Sequence, residues 1–281
     1  TCEAFGGSAE SAMGVAVAIE LLHNFTLVHD DIQDQSHLRR HRLTVWSLWG
    51  EAQAINAGDA LFAASHLALY TVSDRPQTAP LLARLARAFD RTTLAIVGGQ
   101  TLDIENEGDP TVTPERYLQT ITGKTSAIVE FSAWAGGFVA GGTESQLSDL
   151  AEFGLCTGLA FQIRDDLLGI WGSEAETGKT PADDLRRRKQ TLPILELRRE
   201  ATNSERAGLD AFYAETDSSE TEVAHLLDLL DRYRIRVQVE EEIRAYHDRA
   251  NDALERVIPR GANDAADQLY ALLDGLEHRT G

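Results

Sequence analysis

The residues with the most chemical potential lie in two acidic clusters far apart in the chain: Asp30-Asp31-Ile32-Gln33-Asp34 and Gln162-Ile163-Arg164-Asp165-Asp166. On a helix, Asp34 falls about 40° from Asp30 and His23 about 20° to its other side, so these three make one polar ridge. That ridge is expected nearly opposite an apolar stripe of Leu21, Phe25, Val28 and Ile32. Like charges four apart on a helix repel by a few tenths of a kcal/mol, and nothing local rewards them. Alone, such a run is commonly a solvated helix face. Here the first cluster is embedded in Leu22, Phe25, Leu27 and Val28, the second in Leu159, Phe161, Ile163, Leu167 and Leu168. Acids so placed are costly unless a cation pairs with them. Carboxylate oxygens without cysteine or paired histidine suit a hard cation, and one or two carboxylates per ion plus a substrate phosphate is the habit of Mg²⁺. Asp103, in GGQTLDIE, follows a helical pattern and is a candidate for the same cluster.

Bases gather beside these acids: Arg39, Arg40 and Arg42 after the first cluster, Lys179, Arg186, Arg187, Arg188 and Lys189 after the second, and Lys124 in ITGKTSA. Taken singly they could be solvated loop charges in surface pairs worth less than about 1 kcal/mol each. As a set, acids that hold Mg²⁺ and bases that hold phosphate make one site for a diphosphate. Two charges about 4 Å apart at an effective dielectric near 20 interact by about 4 kcal/mol, so a diphosphate needs metal between itself and these carboxylates.

The elements that must position these groups read as helices. Seven prolines, at 76, 80, 110, 114, 181, 193 and 259, leave 1–75, 115–180 and 194–258 free of this helix breaker. Periodicity predicts helices near 1–23, 51–72, 79–106, 113–141, 145–171, 190–201, 204–216, 220–231, 234–256 and 263–278, with a helical stripe continuing through the first cluster. Alternating strand patterns are absent beyond a few residues. The fold class is therefore all-α, and no linker or shift in composition divides the 281 residues, so a single domain over 1–281 is expected. The net charge of −19 argues against nucleic acid or an anionic membrane as partner. Two cysteines, Cys2 and Cys156, make neither a disulfide framework nor a thiolate metal site, which fits a cytoplasmic setting. No signal peptide or transmembrane segment is predicted. The chain opens on Thr1 with Met13 as its only methionine, and residues preceding Thr1 are expected to be missing.

The ordered set LLHNFTLVHDDIQD, SHLRRHRLTVW, EAQAINAGDAL, GGQTLDIE, TGKTS, FQIRDDLLGIWG and TGKTPADDLRRRKQTLP, over residues 21 to 193, resembles the trans-isoprenyl diphosphate synthases of the polyprenyl synthetase family. The resemblance implies a bundle of antiparallel helices around a deep central cavity, usually homodimeric, that joins isopentenyl diphosphate to an allylic diphosphate. It implies Mg²⁺ coordination by Asp30, Asp34, Asp103 and Asp165, with Asp31, Asp166 and Asp184 supporting the metal shell directly or through water. Arg39, Lys124, Lys179 and Lys189 would grip the allylic diphosphate, Thr125 and Gln162 would lie beside the reacting carbons, and His23 and Arg40 match positions that hold isopentenyl diphosphate.

Two positions depart from the family pattern. The third acid common in the second cluster is Gly169 here, and the family's Gly-Lys-x-x-Arg segment normally precedes a stretch like CEAFGG, where this chain begins. In this family the product tail grows beneath the first cluster, where Thr26 and Phe25 stand four and five positions before Asp30. One aromatic with no insertion between Asp31 and Asp34 resembles geranylgeranyl-forming members, so a C20 product is expected, with C15 next; alternatively Phe25 only packs. A terpene cyclase of the same fold would carry an Asn/Ser/Glu motif in place of Asp165-Asp166 and has no need of His23 and Arg40. A noncatalytic subunit of a heteromeric synthase would tend to lose the acidic clusters, and both are present.

Overall fold

The computed structural model describes residues 1–173, 181–214 and 219–277, and in them the chain is all-α apart from one two-residue hairpin. Helix α1 (Ala9–Gln33) starts at Ser8, whose Oγ accepts from the Ser11 amide. It begins later than predicted and runs on through the first acidic cluster. Strands β1 (Leu38–Arg39) and β2 (Arg42–Leu43) follow, joined through Arg40 and His41, both at positive φ. That is the pattern of a type I′ turn, which matches the strand twist but strains residues other than glycine.

Next come α2 (Val45–Trp49), α3 (Glu51–Tyr70) and α4 (Leu82–Asn106). The predicted helix at 113–141 is three pieces: α5 (Pro114–Ile121), a π-helical turn (Thr122–Ser126) and α6 (Ala127–Val139). Helix α7 (Glu144–Trp171) opens on a Thr143/Gln146 capping box. Beyond it lie α8 (Asp183–Arg186), α9 (Leu192–Glu200), α10 (Asn203–Ala214), α11 (Glu220–Arg232), α12 (Ile235–Glu255) and α13 (Asp264–Glu277).

Helix α1 packs on α3 and α6, while α7 packs on α6 and α12. Val15, Ala18, Leu22, Leu69, Phe89, Ile96 and Phe131 form one core, and Ile163, Leu167, Leu185, Ile194, Phe212 and Leu230 another. The buried face of α1 is thus Val15, Ala18 and Leu22, whereas the stripe expected at Leu21, Phe25, Val28 and Ile32 is only half-buried. Of that stripe only Phe25 lines the cavity described below, where the other apolar residues of α1 are Ile19 and Leu27. Among the described residues α1 alone has the length and apolarity of a membrane span, with a hydropathy of 1.5. Only 17% of its apolar window is buried, and it carries the buried Asp31 and packs on α3 and α6 as a wall helix of the bundle.

Candidate active site

A single cavity of about 850 Å³ takes in both acidic clusters: Asp30 of α1 and Asp165 of α7 line it, as do Lys124 and Thr125 of the π-helical turn. His23, Arg39, Arg40, Gln162, Phe25 and Thr26 line it too. Its remaining wall is apolar, with Leu27, Ile96, Ile104 and Ile128 among its residues. Asp31, Asp34, Asp103 and Asp166 are outside that lining but interact with its Arg39, Asp30, Lys124 and Gln162, while Asp184 and Lys189 couple to it only through Asp166 and Asp34. Lys179 lies outside the described residues.

Two cations organise the first cluster. Arg39, placed by the hairpin, donates from Nε to Asp31 Oδ1 at 2.7 Å and from Nη2 to Asp30 Oδ2 at 3.2 Å. Asp31 is only 4% exposed. Burial pushes its carboxyl up and Arg39, its immediate partner, offsets only part of that. The Lys124 ammonium bridges Asp30 Oδ1 at 3.2 Å and Asp103 Oδ2 at 2.5 Å. Burial lowers the Lys124 pKa, but Asp103 and Asp30 outweigh it and the net shift is upward. Asp34 ends α1, where the helix dipole disfavours a negative charge. Desolvation raises its pKa first, then Asp30 and Asp103, against Lys124 and Lys189. For His23, burial pulls the pKa down and Arg40 and Arg39 add to that, against Glu20, so the neutral imidazole is favoured.

A close crossing makes the Lys124 bridge possible. A Cβ on Gly99 of α4 would lie 2.1 Å from the Lys124 amide nitrogen, so only glycine lets the π-helical turn approach there. π turns widen a helix at the cost of regular hydrogen bonds and frequently mark functional sites.

The second cluster is a relay. Thr125 Oγ1 donates to Gln162 Oε1 at 2.9 Å, and Gln162 Nε2 donates to Asp166 Oδ1 at 3.1 Å. The Tyr117 hydroxyl donates to Asp166 Oδ2. Burial pushes Asp166 up to about 7, against the pull of Tyr117, Gln162 and Lys189. Tyr117 was invisible to motif reading; its one sequence signal is a position two helical turns before Lys124. Gly169 also finds its reason here: a Cβ on it would lie 2.0 Å from Asp184 Oδ2. The carboxylate missing from α7 leaves room for one brought in by α8, and Lys189 Nζ lies 3.6 Å from Asp184 Oδ1.

The basic run 186–188 takes the scaffold role that the sequence left open for it. Arg186 pairs with Glu220, Arg187 with Asp183, and Arg188 donates to the Phe212 carbonyl, so these guanidiniums serve the scaffold.

Among the described residues no three acidic, histidine or cysteine side chains converge on one point. The donor set nevertheless suits a hard divalent ion. Asp30 Oδ1 and Asp184 Oδ1 are buried oxygens that accept no hydrogen bond, each with a lysine ammonium as its close ionic partner. Every candidate donor is a carboxylate.

The model of the family described as Polyprenyl synthetase matches residues 1–230. Over 192 residues the chain is 44% identical to a (2E,6E)-farnesyl diphosphate synthase of Mycobacterium tuberculosis, an overlap of 68% of this chain and 52% of that relative. Over 230 residues it is 36% identical to a geranylgeranyl diphosphate synthase of Saccharolobus solfataricus, covering 82% of this chain and 69% of the relative. The chain thus spans about half the length of the mycobacterial relative it matches. The crystal structure of geranylgeranyl pyrophosphate synthetase from Pyrococcus horikoshii shares its fold, with a TM-score of 0.91 at 33% identity over 99% of this chain and 83% of that one. With a family match over residues 1–230, which include every acid, base and cavity-wall residue named above, the chain belongs to the polyprenyl synthetase family.

Proposed function

We propose that this protein is a Mg²⁺-dependent prenyltransferase, a single domain that condenses isopentenyl diphosphate with allylic diphosphates to a trans-prenyl diphosphate of C15–C20, chiefly C20. The observation that carries this reading is the meeting of Asp30 and Asp165, from sequence clusters far apart, in one apolar-walled cavity furnished with Lys124, Arg39 and Arg40. The names of the farnesyl- and geranylgeranyl-forming relatives support the same reaction class.

In the reaction, Lys124, Arg39 and Lys189, with Lys179, bind the allylic diphosphate and offset the charge that develops as its carbon–oxygen bond breaks. Asp30, Asp34, Asp103 and Asp165, with Asp31, Asp166 and Asp184 behind them, would hold Mg²⁺, which when bound would add electrostatic stabilisation of the leaving diphosphate. His23 and Arg40 hold isopentenyl diphosphate, whose double bond provides the electron pair for the new carbon–carbon bond, and a proton leaves to the released diphosphate. Thr125 and Gln162 flank the reacting carbons with oriented dipoles. The apolar wall keeps water from the allylic cation. Incubation with Mg²⁺, isopentenyl diphosphate and each of the C5, C10 and C15 allylic diphosphates, followed by chromatographic sizing, is expected to show consumption and a main C20 product. A folded protein that consumes none of them overturns the reading.

Chain length is set at the cavity floor. Phe25 packs against Phe62 of α3 at 5.2 Å and His29 at 4.8 Å between ring centroids, while Thr26 turns its hydroxyl to the His23 carbonyl at 2.8 Å. Phe25→Ala is expected to lengthen the products by one or more isoprene units on the same chromatogram; an unchanged distribution would mean that Phe25 only packs.

The protein acts as a cytoplasmic homodimer in this reading. Leu67 of α3 and Leu94 of α4 are 67% and 71% exposed, with Tyr70 and Ile55 also open to solvent. A second copy laid on α3 and α4 would bury them. Light scattering should give twice the chain mass, and Leu67→Glu with Leu94→Glu should return it to one.

A further inference from the structure

The helices after residue 200 carry no motif, yet one of them holds the backbone beneath Lys189. We propose that Tyr213 of α10, together with Arg188 and Arg198, forms a clamp that positions Lys189, a proposal that rests on the reading of Lys189 as a diphosphate ligand.

The Tyr213 hydroxyl donates to the Lys189 carbonyl at 3.0 Å. One residue earlier, Arg188 Nε donates to the Phe212 carbonyl at 2.7 Å and its guanidinium lies 4.7 Å from the Phe212 ring centroid. One residue later, Gln190 accepts from Arg198 Nη1 at 2.9 Å, and Arg198 in turn stacks over Tyr213 and pairs with Asp210. Three consecutive residues are thus gripped by one buried layer, in which Phe212, Tyr213 and Arg198 are 5%, 6% and 8% exposed. The gripped segment is strained: Ala182 and Arg188, at either end of α8, both have positive φ without being glycine. Such backbone persists only where its surroundings over-determine it. The Lys189 side chain, by contrast, is about half exposed, and its charge reaches Asp34, Asp166 and Asp184. A flexible lysine on a rigid carbonyl is what a ligand-gripping group needs, because its reach is then set by the main chain.

Tyr213 is a positioning residue, so its test separates position from stability. In Tyr213→Phe the ring and its packing remain and one hydrogen bond is lost, which is worth about three- to tenfold in an equilibrium or rate. The expected result is a fall of about that size in kcat/KM for the allylic diphosphate, carried by KM, with none added when Tyr213→Phe is placed on Lys189→Ala. The double-mutant cycle is the discriminating readout. Arg188→Gly provides a second variant that does not depend on the tyrosine: glycine takes the positive φ without strain but releases Phe212, and the same non-additive loss is expected. Equal losses in both backgrounds, or wild-type kinetics of Tyr213→Phe beside an impaired Lys189→Ala, overturn the clamp alone. Wild-type kinetics of Lys189→Ala overturn the reading of Lys189 and the clamp with it.

Discussion

Asp30→Ala abolishes most turnover while leaving the helical bundle intact, a fall in kcat of about 10²- to 10³-fold, the range found when one preorganised electrostatic partner is removed from an active site. The carboxylate is the shared partner of Arg39 and Lys124, at 3.2 Å from each. Removing it leaves Arg39 to Asp31 alone and Lys124 to Asp103 alone, and deletes a proposed oxygen donor for Mg²⁺. Stability changes little, because the Asp30 side chain is only partly buried and the helix accepts alanine. Circular dichroism and initial rates with isopentenyl and allylic diphosphates check both halves. Rates within threefold of the parent would remove Asp30 from the chemistry.

Gly99→Ala and Gly98→Ala, one residue apart, are expected to have opposite signs. At Gly99 a Cβ would meet only backbone: the Lys124 nitrogen at 2.1 Å, the Gly123 carbonyl carbon at 2.7 Å and the Thr120 oxygen at 2.8 Å. None of these can rotate away, so α4 and the π-helical turn must separate, at an overpacking cost toward or beyond the upper end of about 1–3 kcal/mol. The same displacement pulls Lys124 off Asp103, so activity falls more than the lost stability explains. At Gly98 nothing lies within 4 Å, and alanine there should stabilise the helix by about 0.5–1 kcal/mol. Thermal melts and urea midpoints of the two variants decide it; equal midpoints would mean that α4 and the π-helical turn do not meet tightly at Gly99.

These contacts mark where sequence reading stops. The helices were legible from proline placement and apolar period, because both act within a few residues of chain. The two acidic clusters were legible because carboxylates amid leucine and phenylalanine contradict simple burial. The partnerships were not. Nothing local distinguishes Lys124, which bridges two aspartates, from Arg186, which pairs with Glu220 at the surface. Gly99 looks like an ordinary helix weakness, and Gly169 like a lost acid, until the backbone or carboxylate that needs their missing Cβ is known. Tyr117 and Tyr213 belong to no motif, and each donates its hydroxyl to an acceptor that only the tertiary fold brings near.

The widened turn at Thr122–Ser126 is in effect one surplus residue in a helix otherwise continuous from Pro114 to Val139. A single residue of helix corresponds to about 100° of rotation. Winding all of these residues as regular α-helix, with none excised, would swing Tyr117 about a quarter-turn relative to Phe131 and uncouple it from Asp166. The irregularity therefore acts as a phase adjuster, letting one rod present its first half to the carboxylate relay and its second half to the hydrocarbon core.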